Sequence, residues 1–92
     1  MTTRAYKDMW EKEATRLHKT LIQYPEFDGV DLHEIGYAGI TDRMCSICAR
    51  TLKTEPQHRF IHRFHKMISD RPKTFDGIAI TLIHRLRPRP SM

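Results

Sequence analysis

The sequence predicts an α+β fold, a single small domain in which about three helices pack with a short β-sheet. Three observations carry that expectation. Apolar side chains recur at helical spacing through the first 24 residues. They do so again, more sharply, in "PQHRFIHRFHKMIS" (Pro56–Ser69). The run "IAITLI" (Ile78–Ile83) alternates in the manner of a strand. A chain of 92 residues suits one domain with a modest core, here 1-92, with 85-92 as an extended basic tail.

The elements follow in order. Tyr6, Trp10, Ala14, Leu17, Leu21 and Tyr24 repeat every three or four residues and form one apolar stripe. Thr3 is placed to cap this helix, Asp8 and Lys12 support it at i,i+4, and Pro25 stops it. Trp10 reads as a core anchor. In "PEFDGVDLHEIGYAG", Asp28-Gly29, Gly36 and Gly39 mark turns, and "VDLHEIGY" between them reads as a short strand. "FDGV" recurs as "FDGI" at Phe75–Ile78, which suggests the same turn used twice.

"ITDRMCSICARTLK" reads as a second helix. Thr41 would cap it, with Asp42 in the first turn and Ile40 as an apolar staple. Met44, Ile47, Cys48 and Leu52 share one side. Thr54-Glu55-Pro56-Gln57 then marks the start of a third helix, which would run to Ser69, before Arg71-Pro72. In the final strand Ile78, Ile80 and Leu82 would take one face, and Ala79, Thr81 and Ile83 the other. Two prolines keep "RLRPRPSM" extended.

Charge is segregated along the chain, within a net value of +5. Residues 1–24 carry five lysines and arginines against three acids, a balance of +2. Residues 25–42 carry five acids (Glu26, Asp28, Asp31, Glu34, Asp42) and no lysine or arginine, a balance of −5. Residues 43–92 carry eleven bases against three acids, a balance of +8. A basic half of this kind is the usual footprint of a polyanionic partner. No signal peptide is visible and no apolar run is long enough to span a bilayer, so a cytoplasmic protein with reduced thiols is expected.

Cys45-x-x-Cys48, followed by His58, His62 and His65, matches a zinc pattern in outline. A helical wheel argues against a site there. Phe60, Ile61, Phe64, Met67 and Ile68 fill one arc and claim the core. His58 and His62, the pair with i,i+4 spacing, lie on the opposite side, and Cys48 sits on an apolar stripe. The expectation is therefore no metal and no cofactor, with His62 and His65 as the alternative pair should zinc bind.

That outward side is the candidate binding surface: Arg59, Arg63 and Lys66, with His58 and His62 between them. Guanidinium groups match phosphate oxygens in pairs, and imidazoles donate or stack. Arg85, Arg87 and Arg89 alternate on the strand exit and add a second basic element. No nucleophile motif, Gly-rich phosphate loop or recognition-helix pattern is present, so neither an enzyme nor a small-molecule substrate is expected.

The stretches "AYKDMWEKEATRLHKTL" and "DRMCSICARTLKTEP", and the length of the chain, resemble the phage-encoded type I-F anti-CRISPR proteins, in particular the eighth numbered family. That resemblance implies a non-enzymatic inhibitor in the infected bacterial host cell. Its partners would be protein subunits of the type I-F CRISPR surveillance complex (the Csy complex) and its crRNA, and it would block target DNA hybridisation. The alternative, from the residues alone, is a small basic DNA-binding or transcription-regulating phage protein, with or without a structural zinc.

Overall fold

The computed structural model describes residues 2–86, with side chains from residue 8 onward. Four α-helices follow one another: α1 Thr2–Leu21, α2 Leu32–Thr54, α3 Arg59–Asp70 and α4 Pro72–Arg85. A short 3₁₀ turn, Pro25–Phe27, joins α1 to α2. Among the described residues there is no strand, so the fold is all-α and the expected β-sheet is absent.

Both expected strands are helical. "VDLHEIGY" is the start of α2, because Asp31 caps it: the side chain accepts a hydrogen bond from His33 N at 3.0 Å. Glu34 follows three residues after the cap, and Val30 and Ile35 pack on the core at either side of it. These are a capping pattern and an apolar staple, and they outweigh the glycine that follows. Gly36 takes φ 67° and ψ −177°, a non-helical backbone that only glycine adopts readily, so α2 is two helical segments joined at a kink there. Thr41 is accordingly an interior residue, its hydroxyl donating to Tyr37 O at 3.1 Å, and not a cap.

The run Ile78–Ile83 lies inside α4. Pro72 occupies the first turn, where its missing N–H costs nothing. Phe75, Ile78, Ala79 and Leu82 are buried at spacings of three and four, and that period overrides the β-branched content. Ile80, which a strand would have placed beside Ile78, is 36% exposed. "FDGI" is likewise helical. The Trp10 indole packs closely over Gly77: a Cβ there would stand 3.1 Å from Trp10 Cζ2.

α4 packs against α1, α2 and α3, so the core gathers around it. Leu17, Ile40, Met44, Ile47, Ile61 and Phe64 are fully buried with it. Phe64 and Phe75 meet edge to face, with centroids 6.1 Å apart. Trp10 is only partly buried, and Phe60, expected in the core arc, is 41% exposed.

The connections are held by polar side chains. Tyr24 is extended before Pro25, so α1 stops at Leu21. Arg50 of α2 forms a two-pronged ion pair with Glu26 and lies 5.9 Å from the Tyr24 ring centroid. Partial burial would raise the Glu26 carboxyl. Hydrogen bonds from Arg50 and from the Glu26 backbone, with the Arg50 charge, bring it below the ordinary carboxylate value. His33 Nε2 lies 2.8 Å from the Leu86 carbonyl and fastens the end of α4 to the start of α2. No helix among the described residues is long and apolar enough to cross a membrane.

Candidate functional site

α3 owes its orientation to Ile61 and Phe64, both fully buried. Its start is set by His58, not by Thr54: His58 Nδ1 accepts from Ile61 N at 3.4 Å. With Nδ1 accepting, Nε2 carries the proton and points at Tyr24 Oη, 3.5 Å away. His58 is therefore engaged in the fold as a cap, whereas His62 is exposed on the helix surface.

The three α3 cations divide into two kinds. Arg59 and Lys66 are exposed, and among the described residues neither forms a salt bridge. Arg63 instead reaches across to α1, where its guanidinium stands 2.6 Å from Glu13 Oε1. Arg16 meets the same oxygen at 2.7 Å. Glu13 is only 3% exposed, and its Oε2 is buried with no hydrogen-bond partner among the described residues. A buried carboxylate with two guanidinium partners ties α3 to α1 and fixes where Arg63 sits. Glu13 falls three residues after Trp10 and four before Leu17, on the apolar stripe of the first helix. An acid on such a stripe is the mark that a sequence leaves of a buried ion pair, although it does not name the partner.

Arg85 closes α4 and is not part of an extended exit. It donates to Glu11 O at 3.0 Å and to Thr15 Oγ1 at 2.9 Å, so it is held against α1. Arg87 and Arg89 lie outside the described residues. The basic elements expected to act together are thus separated: Arg59, His62 and Lys66 form one solvent-facing stripe, Arg63 sits on the flank toward α1, and Arg85 belongs to another helix.

The cysteines face opposite ways. Cys45 is exposed. Cys48 is buried, and its Sγ lies 3.8 Å from the Ile61 carbonyl of α3. Burial, with a smaller effect from Cys45, pushes the Cys48 thiol up to about 11. Among the described residues no three of the histidine, cysteine, aspartate and glutamate side chains converge to hold a metal ion. His65, one helical turn after Ile61, is exposed, whereas the Cys48 thiol is buried.

What the arrangement can do chemically is bind anions at a surface. Arg59, His62 and Lys66 present N–H donors to solvent, with no carboxylate paired to them among the described residues. Compared with known proteins, the chain matches no family model, no curated protein and no solved structure.

Proposed function

We propose that the protein is a non-enzymatic binding protein that attaches to a ribonucleoprotein and inhibits it. The resemblance of its sequence to type I-F anti-CRISPR proteins supports the crRNA-guided surveillance complex as the target, with hybridisation of target DNA as the step blocked. The observation that carries the binding reading is the division of the α3 cations. Arg59 and Lys66, with His62 between them, are exposed and form no salt bridge among the described residues, while Arg63 and Arg85 are engaged within the fold. Exposed cations on a rigid helix suit phosphate oxygens, because the helix holds their spacing while the side chains adapt.

The test is the affinity of the protein for the assembled surveillance complex, with Arg59→Glu and Lys66→Glu introduced together. Arg63 is left intact, because it supports α1. The expected result is a folded variant that binds at least about tenfold more weakly, and a salt dependence shallower by about two counterions, one for each phosphate no longer neutralised. A folded double variant that binds and inhibits like the parent would overturn the proposal. A parent protein that shifts duplex DNA by itself and ignores the complex would establish the DNA-binding alternative instead.

A further inference from the structure

We infer that the trough around Arg63, where a cleft between α1 and α3 meets a second cleft along α3, is a docking groove for a partner protein, and that it takes an amphipathic segment whose apolar side chains are flanked by carboxylates. The inference rests on the reading above, that the protein acts by binding a complex containing protein, and it names the chemistry of that protein contact.

Two open clefts meet at Arg63. Asp8, Met9, Lys12, Glu13, Arg16 and Arg63 line the first. Arg63, Lys66, Met67, Asp70 and Arg71 line the second. Met9 is 40% exposed in the first cleft. On α3, Phe60 and Met67 lie three residues before and four after Arg63, so the three share one flank. Phe60 is 41% exposed, and Met67 is partly buried. The clefts therefore set Met9 and the partly buried Met67 among cations, with the exposed Phe60 beside them on the same flank of α3.

Charge selects the occupant. Five basic side chains line the two clefts (Lys12, Arg16, Arg63, Lys66, Arg71) against three acids (Asp8, Glu13, Asp70), a balance of +2 with the pairing of Glu13 to Arg16 and Arg63 included. An anionic partner is favoured. A nucleic-acid backbone would set its phosphates near Asp8 and Asp70 and leave Met9 and Met67 without apolar contacts. A peptide offers both halves of the match, with leucine-like side chains for the methionines and carboxylates for the rim. Methionine is unbranched and adapts to varied apolar surfaces, which suits a docking floor. Glu13 adds preorganisation: it holds the half-exposed Arg16 and Arg63 in place, while each guanidinium retains N–H donors for a second acceptor.

Methionine-methyl NMR on the full chain tests this directly. The chain has five methionines. Met9 and Met67 lie in the trough, and Met44 is fully buried in the core and serves as an internal control. The probe is a synthetic helical peptide carrying leucines one turn apart, flanked by glutamates. Controls are the same peptide with lysines for the glutamates, and a single-stranded oligonucleotide. The expected result is a saturable shift of the Met9 and Met67 methyls by the acidic peptide, with Met44 still. Binding should weaken at least about tenfold in Met9→Lys and in Phe60→Glu. No shift with the acidic peptide, or an equal shift with the lysine peptide, overturns the inference. So does movement of Met9 and Met67 by the oligonucleotide alone, which would make the trough a nucleic-acid surface. Oligonucleotide binding without peptide binding leaves the phosphate-facing stripe standing and removes the groove; peptide binding without oligonucleotide binding does the reverse.

Discussion

α3 and α4 are joined through a single residue, Arg71, yet they record their environments in opposite ways. α3 is a surface helix. Its buried side chains, Ile61 and Phe64, lie on one side, and Arg59, His62 and Lys66 are exposed on the other. α4 touches all three other helices through one arc of buried residues, Phe75, Ile78, Ala79 and Leu82, and carries the exposed Ile80 off that arc. A helix at the surface writes its period into the sequence, because only one stripe needs to be apolar. In α4 the exposed Ile80 blurs that period, and what remains is a short run of branched residues that also suits a strand.

The largest expected effect is at the contact between these two helices. Phe64→Ala and Phe75→Ala should each cost about 3–5 kcal/mol, since both rings are fully buried. In a double-mutant cycle the pair should show a coupling of about 0.5–1.5 kcal/mol, from the edge-to-face contact. Denaturant unfolding of the four variants measures both. Strict additivity would mean that the rings do not meet.

A second measurement separates helix from strand in α4. In a strand Ile78 and Ile80 share a face and should respond alike. In the helix Ile78 is fully buried and Ile80 is 36% exposed. Ile78→Ala should therefore cost about 2–5 kcal/mol, and Ile80→Ala less than about 1 kcal/mol. Equal losses would overturn the helix.

The smallest effect is expected at Gly77. Alanine gains about 1 kcal/mol of helix propensity over glycine. Its Cβ, however, would press on the Trp10 ring at 3.1 Å. Overpacking of this kind costs about 1–3 kcal/mol, so a net loss of up to about 2 kcal/mol is expected, together with a change in Trp10 fluorescence. A stabilised Gly77→Ala variant would show that the indole moves aside freely.

The same contrast explains which elements are legible in the sequence. The first helix, the third and the middle of α2 follow from their apolar spacing alone, and Pro25 and Pro72 mark two boundaries. α4 reads as a strand because the alternation of Ile78, Ile80 and Leu82 competes with the i,i+3,i+4 set of Phe75, Ile78, Ala79 and Leu82, and the second set is the one that is buried. The start of α2 reads as a strand because Gly36 breaks the helical backbone there, although Asp31 caps the segment that precedes it. At the candidate site, exposure of Arg59, His62 and Lys66 follows from the wheel. The roles of Arg63 and Arg85 do not, because each depends on a partner distant in sequence: Glu13, and the Glu11 carbonyl with the Thr15 hydroxyl; the His58 cap is local, but histidine is not among the usual capping residues.

Cys45 and Cys48 keep different time. Cys45 is open to a thiol reagent in the native state, whereas Cys48 is closed in by its contact with the Ile61 carbonyl of α3. Its thiol, raised to about 11, stays protonated at neutral pH while it is buried. A reagent reaches it only during the moments when α3 lifts from α2. With reagent in excess, the second cysteine is modified at the frequency of that opening; with reagent dilute, at a rate set by the population of the open form. Two thiols three residues apart thus give the molecule an internal clock, one hand moving with solvent and the other with the departure of the helix that carries its cationic face.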